Sequence, residues 1–184
     1  MQKDFSEIRK VSGDVVVSMG HTSADYETAI QSAQAGVRHV THLFNAMTPV
    51  MHRAPGVVIA AMNSDVSCEL IVDKYHVAPA FYDLVWKLKG RKLCFITDCL
   101  PGGGLPEGEH TLGGQKITYD GKVCRLADGT IAGSVLKLSD GVFNVYKNSS
   151  IPLHECVNCA SLNPATVLGI DDKKGSIDNG KDAD

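Results

Sequence analysis

Apolar positions in this chain fall into short β-branched runs that alternate with amphipathic stretches. Residues 15–19 form an apolar run of the kind buried on both faces of a parallel sheet, followed by Gly20 and His21. Thr22 reads as a helix cap with Asp25 in the capping-box position. Tyr26, Ala29, Ile30, Ala33 and Val37 then give the stripe of a helix packed on a sheet, which Gly36 ends. A second strand is expected over residues 38–44, with His42 near its end, and a short helix over 56–62. The next strand, 68–72, runs into Asp73-Lys74-Tyr75-His76. Pro79 opens a helix whose inner stripe reads as Phe81, Leu84, Val85 and Leu88, closed by Gly90, and a fourth strand, 93–97, ends at Asp98. A leading helix over 3–11 would bury Phe5, Ile8 and Val11.

Strand starts near residues 15, 38, 68 and 93 repeat at the length of a βα unit. That alternation predicts an α/β fold with a parallel sheet, in a barrel or a doubly wound arrangement. After Asp98 the texture changes. Turn signals crowd in at Gly102-Gly103-Gly104, Gly113-Gly114, Asp120-Gly121 and Asp128-Gly129, and a hairpin is expected between strands at 116–119 and 122–126. This excursion (about 101–134) is read as a loop at the active edge. Helical patterns return at 137–148 and 153–161, and the polar stretch 173–184 adds no closing element.

A hydrophobic share of 43% across 184 residues supplies a genuine core, in one domain or a piece of a larger one. A net charge of −3 and the lack of a Lys/Arg run argue against nucleic acid. No apolar run is long enough for a membrane span and the N-terminus lacks a signal-peptide core, so a cytoplasmic location is expected. The six cysteines lie mostly inside apolar segments and read as reduced and buried; Cys156-Val-Asn-Cys159 falls mid-helix, where packing explains it better than zinc or redox chemistry.

In parallel α/β folds the ligand site lies at the carboxyl ends of the strands. Four consecutive strands here end in His21, His42, the Asp73–His76 segment and Asp98. Two imidazoles on neighbouring strand ends can share a metal ion, and such an ion lowers the pKa of its water to about 7. Asp98 would then take a proton as hydroxide attacks and hand it to a leaving amine, although an aspartate after a strand also serves as a cap. Asn45 and Ala46 could hold a phosphate or sugar, or simply make a turn. Arg53 could clamp an anion, or be an ordinary surface arginine. His39 sits toward the far end of its strand, and His52, His110 and His154 show no partner pattern.

Several segments carry a resemblance: Gly20-His21-Thr22, Thr41-His42-Leu43-Phe44-Asn45-Ala46-Met47, Arg53-Ala54-Pro55-Gly56, Asp73 to Val77, Thr97-Asp98, Leu126 through Ser134, and Ala160-Ser161-Leu162-Asn163-Pro164-Ala165. In this order they resemble the N-acetylglucosamine-6-phosphate deacetylase family of metal-dependent amidohydrolases, over nearly the whole chain. The resemblance implies His21 and His42 as metal ligands, for zinc or iron, and Asp98 as the catalytic aspartate. It implies substrate contacts at Asn45, Ala46, Arg53, Asp73, Lys74, Tyr75, His76, Ile131, Ala132 and Gly133. Lys74-Tyr75 stands where many relatives carry glycine and an aliphatic residue.

The implied reaction is hydrolysis of the acetamide of N-acetylglucosamine 6-phosphate by a homo-oligomeric enzyme. The implied fold is the second half of a (β/α)8 barrel over residues 1–168, with 169–184 starting the return to a small β-sandwich. The family's metal-binding glutamate and its carbonyl-polarising histidine come from an earlier half that this chain does not include. The isolated chain is therefore expected to self-associate or to need that half. Other readings are an amidohydrolase for a different N-acyl or cyclic amide, and a sugar-phosphate-binding domain without turnover.

Overall fold

A computed structural model of the chain describes residues 4–100 and 103–183. Residue 3 of the expected leading helix, Gly102 of the first glycine turn and the final residue 184 lie outside the described residues. Helix α1 (Ser6–Val11) precedes four parallel strands, β1 (Val17–Met19), β2 (Val37–Val40), β3 (Ser67–Ile71) and β4 (Leu93–Ile96), which lie side by side in sequence order. The crossovers between them carry α2 (Tyr26–Ala35), α3 (Gly56–Asn63) and α4 (Tyr82–Lys89). Each crossover returns the chain to the same end of the sheet, so every strand finishes on one edge.

The sheet's two faces differ. Val40, Cys68, Leu70, Leu93 and Phe95 face the helices and pack into one core with Ala29, Val57, Val58, Tyr82 and Val85. Burying each of the larger of these side chains contributes roughly 1.5–3 kcal/mol. The alternate positions, Ser18, His39, Ser67, Glu69 and Cys94, are mostly polar and lie on the opposite face, as a period of two requires.

Several expectations are corrected by this packing. Val15 and Val16 precede β1 and are exposed, because β1 is an edge strand with no neighbour on its outer side among the described residues. Val11 is also exposed, and α1 buries no residue fully. Thr22 does not cap α2; Asp25 does, its carboxylate accepting the Thr28 N–H at 2.7 Å. On α4, Leu84 and Leu88 turn outward while Tyr82, Val85 and Lys89 turn in. Phe81 lies in the 3-10 turn before the helix (Pro79–Phe81), 40% exposed, with its ring 5.0 Å from that of Phe44. The Lys89 stem is buried, and its ammonium donates to the Ala61 and Ser64 carbonyls, both at 2.9 Å, closing the C-terminal end of α3.

Residues 103–134 form a four-stranded antiparallel meander rather than a loop with one hairpin: β5 (Gly108–Leu112), β6 (Gln115–Tyr119), β7 (Cys124–Leu126) and β8 (Ile131–Gly133). Gly113 and Gly114, at φ 55° and 82°, make the two-residue turn joining β5 to β6. Asp120 Oδ1 accepts the Lys122 and Val123 amides at 2.9 and 2.8 Å and closes the next turn. The sequence does not predict the outer strands because β8 is three residues long and β5 is mostly polar, too little for an alternating pattern. Beyond the meander come α5 (Leu138–Asn148), α6 (Leu153–Ala160) and α7 (Leu162–Leu168). Helix α7 was not expected; Asn163 Nδ2 pins it to the start of β4 through the Leu93 carbonyl at 2.7 Å.

All six cysteines are free thiols, buried except for Cys99. Burial pushes the Cys68 and Cys156 thiols up to about 11 and Cys94 up to about 12. An Ellman titration of native protein at pH 8 is therefore expected to give one fast thiol, and the rest only in denaturant; a second fast thiol would contradict this packing. These thiols ionise in the unfolded chain near pH 9.0 but in the fold only near 11–12. Their contribution is whole below about pH 9 and is lost as pH rises through about 12.

Candidate active site

The two histidines are brought together by strand pairing on both sides of them. Met19 and Val40 are in register across β1 and β2. The Thr41 N–H then donates to the Met19 carbonyl at 3.0 Å, and further on Thr22 bridges Met47 in parallel sense. Gly20 permits this approach, since a Cβ there would lie 2.9 Å from Thr41 Cβ. His21 and His42 leave the sheet side by side, with ring centroids 4.7 Å apart and planes at 68°.

Backbone strain gathers at the same edge. Among the described residues, the non-glycine positions with positive φ are His21 (44°), His42 (31°), Phe44 (80°), Ala46 (51°), Lys74 (74°) and Asp98 (45°). Every one follows the end of one of the four parallel strands. Left-handed backbone costs an ordinary residue roughly 1–2 kcal/mol, so six such positions persist only because the surrounding packing holds them. Strand β2 accordingly stops at Val40, short of the expected residue 44, and residues 41–46 form a turn.

His42 is buried, whereas His21 is exposed. The Nδ1 of His42 is buried and has no hydrogen-bond partner among the described residues, an arrangement that suits a metal ligand and is costly otherwise. Among the described residues no group of three His, Cys, Asp or Glu side chains is placed to hold a metal ion. Asp98 therefore does not join the imidazoles as a third ligand. The pair fits two of the three protein ligands that catalytic zinc sites use.

The substrate-side residues divide. Asn45 spends its side-chain amide on its own turn, donating to the His42 and Leu43 carbonyls, both at 3.3 Å. Ala46 and Arg53 are exposed, Arg53 on a turn where Met51 bridges Ala54. Asp73 is a scaffold: Oδ1 accepts the Tyr75 and His76 amides at 2.8 and 2.9 Å, and Oδ2 meets His76 Nδ1 at 2.6 Å. Burial pushes the Asp73 carboxyl up, but these donors prevail and hold it below the ordinary carboxylate range. The result fixes the His76 ring and leaves its Nε2 as the edge available to a ligand. Lys74 and Tyr75 are exposed. Ile131, Ala132 and Gly133 are strand β8, not a loop, and its continuation reaches the site: Leu100 N–H donates to the Ser134 carbonyl at 2.9 Å, two residues beyond Asp98.

One group went unread in the sequence. His39 is not remote from the site. Its Nδ1 lies 2.6 Å from Ser67 Oγ and its Nε2 3.0 Å from Glu69 Oε1, while Glu69 Oε2 accepts the His42 backbone N–H at 3.2 Å. Burial pushes the Glu69 carboxyl up, but the bond and charge of His39 and the His42 amide outweigh it and hold it low. The available signal was a charged residue at the centre of an otherwise apolar strand.

The sequence profile of the amidohydrolase family matches residues 1–184, and the chain belongs to that family. Its α/β fold agrees with solved relatives. The chain is 42% identical over 183 residues to the N-acetylglucosamine-6-phosphate deacetylase of Bacillus subtilis, covering 98% of this chain and 46% of that protein. It is 35% identical to an N-acetylgalactosamine-6-phosphate deacetylase of Escherichia coli, covering 92% of this chain and 45% of that one. Among structures, the N-acetylglucosamine-6-phosphate deacetylase of Pasteurella multocida superposes with a TM-score of 0.91 at 35% identity, covering 96% of this chain and 47% of the other. The chain thus spans about half the length of the relatives it matches. No helix among the described residues is long and apolar enough to cross a membrane.

Proposed function

We propose that this chain carries the second half of the barrel, and with it part of the active site, of a deacetylase that hydrolyses N-acetylglucosamine 6-phosphate to glucosamine 6-phosphate and acetate. The observation that carries the reading is the pair of imidazoles 4.7 Å apart on adjacent strand ends, one with a buried nitrogen that no group among the described residues satisfies. His21 and His42 would hold a divalent metal, zinc or iron. Such an ion supplies hydroxide at neutral pH by lowering the pKa of a water to about 7. Asp98, at the end of β4, takes the proton released in the attack on the acetamide carbon and returns it to the departing amine. Asn45, Ala46 and Arg53 hold the sugar phosphate, and His76 and β8 make further contacts with the substrate.

Four parallel strands with β1 and β4 as open edges support a place within a closed barrel, completed by the half that relatives carry before this segment. That half would bring the third ligand. The similarity to a galactosamine enzyme supports a second reading, in which the substrate is the epimeric N-acetylgalactosamine 6-phosphate.

The test is acetate release by the complete metal-loaded protein from both sugar phosphates and from unphosphorylated N-acetylglucosamine. Turnover confined to a sugar phosphate is expected. Release from neither sugar phosphate would leave a binding domain, and equal use of the unphosphorylated sugar would overturn the phosphate assignments.

A further inference from the structure

Residue 69 touches the turn that carries His42 at two successive amides. Its carboxylate accepts the N–H of His42 at 3.2 Å, and its own backbone carbonyl accepts the N–H of Leu43 at 2.9 Å. The β2–β3 register makes this possible: His39 is paired with Ser67, so Glu69 falls opposite the start of the turn. The carboxylate is in turn held from behind. Ser67 Oγ donates to the Arg38 carbonyl at 3.1 Å, which leaves that oxygen to accept from His39 Nδ1 at 2.6 Å, and His39 Nε2 faces Glu69 Oε1 at 3.0 Å. A continuous chain of hydrogen bonds therefore runs from the β2 backbone through Ser67, His39 and Glu69 to the amide of a residue held at φ 31°.

We propose that Glu69 is a positioning residue for His42, fixing its left-handed backbone through the amide, with His39 and Ser67 orienting the carboxylate. This rests on the reading of His42 as a metal ligand. The physical need is clear: His42 must keep a strained conformation for its ring to stand beside that of His21, and its N–H has no strand partner once β2 has ended. An acceptor on the neighbouring strand supplies the missing bond and favours the strained state over relaxed alternatives. Outer partners of this kind set metal affinity by roughly 10–100-fold.

The test is a cobalt(II) titration of the complete protein, read by absorbance, alongside nitrogen-15 spectra of the His42 amide and thermal unfolding. E69L is expected to weaken cobalt binding about tenfold or more and to move the His42 amide resonance. E69Q keeps an oxygen for the His42 amide and an NH2 to face the His39 ring nitrogen, so it is expected to stay within about threefold of the parent. H39Q, which leaves Glu69 in place but unoriented, should fall between them, and it decides the matter if E69L does not fold. Cobalt affinity and a His42 amide unchanged in E69L, or E69Q as weak as E69L, would overturn the inference. H42A serves as the separate control: cobalt binding unaffected by H42A would remove the ligand assignment itself, whereas binding lost in H42A but intact in folded E69L would remove only the role of Glu69.

Discussion

Replacing Asp98 by asparagine is expected to lower acetate release by the complete protein by about 10²–10⁴-fold, the usual worth of a positioned acid–base group. The substitution isolates the chemistry. Asp98 sits at φ 45°, a region that asparagine tolerates nearly as well as aspartate, so the backbone has no reason to move. It is exposed, so no buried partner is stranded. The imidazole pair is built by β1 and β2, so metal content should hold while turnover collapses. If Asp98 were only a structural cap, D98N would instead lower thermal stability and leave turnover largely intact. Steady-state rates, metal analysis and a melting curve on one preparation separate the two.

The second large effect is on stability. Leu43 is fully buried in the core between two strained neighbours, His42 at φ 31° and Phe44 at φ 80°. Its burial is what anchors that turn to the sheet. Leu43→Ala is expected to cost about 2–5 kcal/mol in denaturant unfolding, and to weaken metal binding as well, because the strained turn then has less to hold it. Leu88→Ala is the control of equal chemistry. Leu88 is 50% exposed on the outer side of α4, so its loss should change stability by under about 1 kcal/mol. Similar losses for the two variants would mean that the turn is not seated in the core as described.

Much of the architecture was legible because periodicity and turn chemistry are local. The apolar runs at β3 and β4, the glycine ending α2 at Gly36 and the Asp120-Gly121 turn each declare themselves within a few residues. Histidines after two successive strands were legible as a pair for the same reason: in a parallel sheet all strands must finish on one edge. The likeness to the deacetylases rests on segments that include the strained positions at the strand ends.

What only the tertiary structure decided depends on which surfaces meet. An eight-residue helix with apolar side chains on two sides does not say which side is covered; packing against α3 chose Tyr82, Val85 and the Lys89 stem over Leu84 and Leu88. Polar residues on the sheet's other face gain meaning only from register. Pairing His39 with Ser67 turns three unrelated letters into one chain of hydrogen bonds ending at His42. The left-handed backbone at the four strand ends is likewise invisible in residue type, since histidine, lysine and aspartate adopt it only when neighbouring structure compels them. Local pattern determined which elements form and where each strand ends. Long-range pairing determined which side chains face one another there, because that free energy lies between residues far apart in the chain.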